Sequence, residues 1–417
     1  MEKNKFKFLE NDQKLDKEQT RKSLTYWQDV WRRLRKNHLA IVGLVSVIII
    51  ILFATVGPMI NKYAYNTQHL DYKNVPPQLT IYKLDDDLYV FMSEMYHLSA
   101  VSEDGHLLKR FDLKTADKNL ITRVYTYRLY DDENNEVAAV VVDFSYQTDP
   151  NKIEEGLKYS FTYEGVEYKT PHDKVWNKTF LLGTDLNGRD LLARVMYGTG
   201  ISLVIAFVAA IINFFIGVIY GSISGFLGKN VDIVMMRIVD IINSIPLLLY
   251  VILLMVVLKE SWFEINVLNK IFGTGGLGTI ILTLISVYWV GMARLVRGQV
   301  LSLKEQEYVL AAKTMGVSNW KIIQKHLIPN ALGPIIVTMA MMIPTAVFTE
   351  AFLSFIGLGI SAPRASLGSL ANDGSQYMQT YPFQLLIPSL AIAFMMLAFN
   401  FLGDGLRDAL DPRLRKG

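Results

Sequence analysis

Apolar residues in this chain gather into long unbroken runs. Six runs of near twenty residues carry almost no charge: Leu39–Ile60, Gly200–Tyr220, Ile238–Leu258, Leu277–Val296, Ala331–Leu358 and Leu385–Gly403. Each is long enough to cross a hydrocarbon core of about 30 Å as a helix. A helix buried in a soluble core rarely runs so far without a polar face. Six of them predict an all-α integral membrane bundle of six transmembrane helices. The first run is not read as a cleavable leader, because it starts late, exceeds a leader's apolar stretch and lacks an Ala-x-Ala site after it.

The texture changes between the first two runs, which lie about 140 residues apart. "TRVYTYRLY", "EVAAVVVDFSY" and "KYSFTYEGVEY" are β-branched and aromatic with rough alternation, and "SEDG", "DDENN" and "YEG" punctuate them as turns. Residues 61–180 are therefore expected to form an inserted β-rich domain. A disordered loop is the alternative, opposed by so many Tyr, Val and Phe. From Lys62 to Trp176 there are 20 Asp and Glu against 13 Lys and Arg, a net of −7, which leaves +10 on the rest of a chain whose total is +3. Whether the insert docks a partner or serves as a passive lid stays open.

Charge also sets an orientation. Residues 1–38 hold eleven Lys and Arg, ending in "WRRLRKNH" against the first run, which places that segment in the cytoplasm. Six crossings then return the tail, 404–417 with its basic "DPRLRKG", to the same side. The insert becomes extracytoplasmic. The core, 181–403, would present its loop 302–329 to the cytoplasm, where Lys304, Lys313, Lys321 and Lys325 fit.

That loop reads as two short helices with a corner. Ser302 is placed to cap the first, with Glu305 three residues on. Glu305 and Glu307 favour its positive end, and Lys313 its negative end. Gly316 is expected to end it in a left-handed turn. Ser318 could cap a second helix, "NWKIIQKHLI", which Pro329 interrupts. Ala311 and Ala312 offer a small face for another backbone. The residues alone leave open a docking elbow or a plain connector.

Here the chain resembles a known family. "YVLAAKTMGVSNWKIIQKHLIPN" is similar to the EAA loop of ABC importer permeases, with Ala311, Ala312, Gly316 and Pro329 at matching positions. "HLIPN" is closest to the C-type subunit of oligopeptide and dipeptide importers. "FLLGTDLNGRDLLARVMYGTGISL", "EAFLSFIGLGISAPRASLGSLANDG" and "NFLGDGLRDALDPRLRK" resemble further stretches of that family. The likeness runs over Met1 to about Ile60 and from about Phe180 to Gly417, and the usual family pattern does not extend to the insert. The family's acidic residue is replaced by Leu310, with Glu307 the carboxylate one turn earlier.

The resemblance implies the type I permease fold of ABC importers and a coupling loop of Glu307, Leu310, Ala311, Ala312, Gly316, Val317 and Ser318 seated on an ATPase. It also implies the partners. These are a homologous permease lining the path, two ABC ATPase subunits, an extracytoplasmic substrate-binding protein, a peptide substrate and the lipid of a bacterial cell membrane, with no nucleic acid. No cofactor belongs to this chain, since ATP and Mg would be held by the ATPases. An importer of nickel chelates or another small solute is the near alternative, and a membrane sensor or structural protein with an outer β domain the distant one.

Other motifs narrow the chemistry. No G-x-x-x-x-G-K-[ST] occurs, so this chain cradles no ATP by a P-loop and is read as a transport subunit, not an enzyme. "GTGGLG" at Gly273 to Gly278 precedes an apolar run and reads as a turn. There is no cysteine, and the six His lack metal spacing. Glu350, inside the fifth run, is either a proton relay or a structural anchor. A relay lacks a second buried carboxylate in the other runs, and the family likeness suggests the anchor. A secondary transporter is opposed by the same shortage of carboxylates. Arg237 and Asp240, three apart, are expected to pair, and Pro246 and Pro344 to kink their helices.

Overall fold

The computed structural model describes residues 25–153, 156–259 and 261–410. Most of the basic N-terminal segment (1–24) and the tail "DPRLRKG" lie outside the described residues.

Among the described residues, five helices are long and apolar enough to cross a membrane, and a sixth candidate is a bent pair. After α1 (Tyr26–Lys36) come α2 (His38–Thr55), α3 (Leu191–Leu227), α4 (Lys229–Ser244) and α5 (Leu247–Leu258). They are followed by α6 (Leu277–Leu303), α7 (Glu307–Thr314), α8 (Asn319–Ile322), α9 (Ile328–Phe355), α10 (Leu367–Ser375) and α11 (Pro382–Leu410). The helices overrun the apolar runs because hydropathy marks the hydrocarbon, whereas caps mark the helix. Thus α3 begins at Leu191, where the Asp190 carboxylate accepts from the amides of Leu192 and Ala193. Its 37 residues are long enough for roughly 55 Å.

The expected span Ile238–Leu258 is two helices meeting at 86°. Pro246 lacks an N–H and disfavours helical dihedrals in its predecessor, and Ile245 is extended at φ −83°, ψ 129°. Arg237 and Asp240 accordingly sit on the arm before the break, and they do not pair. Asp240 instead meets Arg294 of α6 at 2.8 Å. Pro344, the other expected kink, lies within an uninterrupted α9.

The most extensive helix pairing, α3 on α6, rests on glycines four residues apart. A Cβ on Gly217 would lie 2.5 Å from Met292 Cβ, one on Gly221 would collide with the Ala293 carbonyl, and one on Gly225 would lie 2.9 Å from the Arg297 carbonyl. Small residues at this spacing let backbones approach closely, the main source of helix attraction in lipid. The contacts advance together along both helices, so α3 and α6 run parallel. Gly43 on α2 and Gly405 on α11 make a similar close crossing, against Leu402 and Ala40 respectively.

Between α2 and α3 the chain forms two five-stranded antiparallel sheets, ordered β10-β1-β2-β3-β4 and β5-β6-β7-β8-β9. The first comprises β1 (Gln78–Lys83), β2 (Tyr89–Met92), β3 (Leu98–Val101), β4 (Leu107–Arg110) and β10 (Asp173–Trp176). The second comprises β5 (Lys118–Asn119), β6 (Val124–Tyr130), β7 (Glu136–Asp143), β8 (Ser160–Tyr163) and β9 (Val166–Tyr168). The three strand-like stretches named above became β6, β7 and the β8–β9 hairpin. Val90, Leu98, Phe111, Tyr127, Val140 and Phe161 pack into one core, which holds the insert without a disulfide.

Outgoing and returning chains pair as β1 with β10, Gln78 opposite Trp176. The junction is polar and specific. Gln384 of α11 donates to the Asn74 side chain (2.8 Å) and to the Thr184 carbonyl (3.0 Å), and Asn61 donates to Asp190 (2.8 Å). The insert therefore sits at the end of the bundle where α3 begins. Because α3 and α6 run parallel, the segment after α6 lies at the opposite end. Gly221→Val should force these helices apart at a cost of about 1–3 kcal/mol, read as a lower unfolding midpoint of the purified protein.

Candidate functional site, the elbow between α6 and α9

The corner forms where the glycine was expected. Gly316 has φ +75°, a region costly for residues with a Cβ. Its amide donates to the Lys313 carbonyl (3.0 Å) and that of Val317 to Ala312 (3.1 Å), the paired bonds of a Schellman ending.

Three local expectations are corrected. Ser302 lies in the last turns of α6, so Gln306 occupies the N-cap of α7 without a side-chain bond, and no capping box forms. Ser318 occupies the N-cap of α8, but its hydroxyl accepts no capping bond. Pro329 does not interrupt the second helix. The helix runs on from Asn319 to Phe355 through a π-helical turn, Ile323–Leu327, directly before the proline.

Ala311 and Ala312 do not form one face. Neighbours on a helix point about 100° apart. Ala312 is 2% exposed and packs with Val309, Ile322, Leu327, Val300 and Phe226 in the elbow's own core, whereas Ala311 is exposed. The surface left free is apolar: Met315 is 74% exposed, Leu310 49% and Trp320 48%. Glu307, Gly316 and Ser318 are also exposed, and Val317 is half-buried. Lys313 lays its ammonium 4.8 Å from the Phe226 ring centroid, which ties α7 to the end of α3.

Above the elbow, Arg297 of α6 grips both oxygens of Asp232 on α4, at 2.5 Å each, while Ser224 of α3 donates to the same carboxylate. Lys304 donates to the Gly225 carbonyl at 3.2 Å. This lashing was missed in the sequence. The signal was there, since Asp232 and Asp240 are eight residues apart on one helical face, opposite Arg297 and Arg294.

Glu350 is 0% exposed at the junction of α3, α9 and α10. Ser202 donates to one carboxylate oxygen (2.7 Å) and Ser354 to the other (2.8 Å). Among the described residues it has no ion-pair partner.

The comparisons bear on what such a scaffold is. Residues 217–416 match the family model for the binding-protein-dependent transport system inner membrane component, and 25–77 that for the N-terminal TM domain of oligopeptide transport permease C. The oligopeptide transport system permease protein OppC of Bacillus subtilis is 36% identical over 397 residues, covering 95% of this chain and 93% of that protein. The chain belongs to the binding-protein-dependent permease family. The dipeptide transport system permease protein DppC of Lactococcus lactis matches this permease at 36% over 94% of its chain and 92% of that relative. A solved inward-facing MetNI methionine ABC transporter overlaps 53% of the permease and 96% of that chain, with 24% identity and a TM-score of 0.37, too loose a likeness to build on. The two family models match on either side of the strands, and residues 78–216 lie outside both.

Two substitutions separate the readings of Glu350. Glu350→Gln should leave uptake intact, because the amide oxygen still accepts from one serine and the amide N–H can donate to the other hydroxyl, whereas a proton relay would lose it. Glu350→Leu leaves buried hydroxyls unmet and should lower the unfolding midpoint by the equivalent of about 1–3 kcal/mol.

Proposed function

We propose that this permease is the membrane subunit of an ATP-driven importer of oligopeptides or dipeptides, coupled to separate ATPases through the elbow. The observation that carries this is the end-to-end match to peptide permeases. Their names favour peptides over nickel chelates or a sensor role. A homologous permease completes the path, two ATPases sit under the elbows, and a binding protein delivers cargo on the insert side. The elbow side is cytoplasmic, as the Lys and Arg distribution favours. The proposed coupling residues are Glu307, Leu310, Ala311, Ala312, Gly316, Val317 and Ser318; Glu350 acts as an anchor, and Arg237 and Asp240 lie on the arm at the cytoplasmic edge.

The elbow's construction supports the mechanism. Its exposed Leu310, Met315 and Trp320 form an apolar knob, and with leucine at the family's acidic position docking rests on burial more than on a carboxylate contact. Its buried side, Val309 and Ala312, is packed against α3, α6 and the turn into α9. Pressure on the knob therefore reaches those helices without a slack joint. ATP-driven closure of the ATPases favours one arrangement of the bundle over another by differential binding.

Proteoliposomes holding both permeases and their ATPases, supplied with binding protein and labelled peptide, test the proposal: uptake should require ATP. Uptake by the chain alone, or an intact assembly with nothing seated on the elbow, would end it. Gly316→Val should cost about 1–2 kcal/mol at the corner, reducing uptake while the chain still inserts. Trp320→Ala and Met315→Ala should weaken ATPase co-purification without lowering permease yield.

A further inference from the structure

The insert is acidic overall, yet one of its concavities is lined by cations. A cleft of about 820 Å³ opens where β4 and the segment after it meet β5 and β6. Lys109, Arg110, Lys114 and Lys118 line it, against the carboxylates of Asp71 and Asp112. The first two cations are engaged only by exposed carboxylates, Lys109 with Asp132 (2.8 Å) and Arg110 with Asp71 (3.3 Å). Such solvent-facing pairs are weakly held and easily exchanged. Lys114 donates to the Tyr130 hydroxyl at 2.9 Å. Neither Lys114 nor Lys118 has a carboxylate partner among the described residues.

Tyr72, Tyr96 and Tyr125 also line the cleft. His97 also lines the cleft, and its Nδ1 is buried without a hydrogen-bond partner. Burial, with Arg110 and Lys73 nearby, pushes this imidazole below its ordinary pKa, so it adds no positive charge to the cleft at pH 7. Two cations with exchangeable partners beside two without a carboxylate partner among the described residues are an arrangement that an anionic ligand completes.

We propose that this cleft binds the carboxyl-terminal end of a short peptide, the free carboxylate lying on Arg110 and Lys118. A guanidinium fork matches a carboxylate. Tyrosine walls accept varied side chains through amphipathic contact. The volume is that of a small-ligand site rather than of a protein–protein interface. The peptide class rests on the function proposed above, whereas the carboxylate chemistry rests on the cleft alone.

The assembled importer in lipid nanodiscs, without binding protein, is titrated with tetraalanine and with its C-terminal amide. The free acid should bind saturably, and the amide about tenfold or more weaker, because it has lost the charge-assisted bonds. Arg110→Gln combined with Lys118→Gln should weaken the free acid by a similar factor. Lys118→Gln alone, at a surface lysine, should weaken it in part if the double variant proves poorly folded. Lys174→Gln, on β10 and outside the cleft, should change nothing. Absence of saturable binding, equal binding of acid and amide, or unaltered binding in the charge variants each overturns the proposal. So does a double variant that keeps tetraalanine but loses binding-protein docking, which would make the cleft a protein-docking surface. Normal ATP-driven peptide uptake with an empty cleft sinks this site alone. Saturable, carboxylate-dependent binding in an assembly that imports no peptide sinks the functional proposal and leaves the site.

Discussion

The close parallel approach of α3 and α6 is the constraint on which the rest depends. In lipid, helices gain nothing from hiding apolar side chains from water, so contact must come from tight van der Waals packing. Gly217, Gly221 and Gly225 make that possible by removing every side chain from one stripe of α3. The consequence is positional as well as energetic. Parallel running places the start of α3, with the insert, and the end of α6, with the elbow, at opposite ends of a single rigid pair.

Polar groups in this bundle are spent where geometry must be unique. Glu350 has no cation among the described residues and is held by hydroxyls from two helices, fixing α9 against α3 at one rotational setting. Asp232 takes both arms of Arg297 and a serine besides, fixing the arm α4 against α6. Removing one member leaves a charge unmet, which is why such contacts constrain an arrangement more than they stabilise it. The glycine stripe brings the helices together, and these polar ties choose the register.

What the sequence made legible follows from the length scale of each signal. Apolar runs of span length are visible without context, as is Gly316, because a left-handed corner restricts the residue that can occupy it. The strands β6 and β7 were legible because they are long and lie in the segments of rough alternation. The first sheet was not, since β2 and β3 are only four residues long and buried on both faces, which removes the alternation. The break at Pro246 was expected as a kink and is instead a near right angle. Which of Ala311 and Ala312 faces outward depends on what packs beneath α7, and that is tertiary information. Arg237 next to Asp240 looked like a pair because local spacing was the only criterion. The true partner, Arg294, is 54 residues away.

The two ends of the α3–α6 pair then act on each other by simple lever geometry. The capped start of α3, Asp190, bonds to Asn61, and the adjoining Thr184 carbonyl is held by Gln384, so the base of the insert is joined to the helix end. At the other end Lys313 and Lys304 tie the elbow to the last turns of α3. A helix of 37 residues, roughly 55 Å long, carries a tilt of about 10° into a displacement of roughly 10 Å at its far end. β1 pairs with β10 at the stem and closes the loop through which the chain leaves and returns. On the proposed coupling, a push at the elbow moves the insert's base, and anything bound to the insert biases the tilt in return, since coupling between two sites is reciprocal.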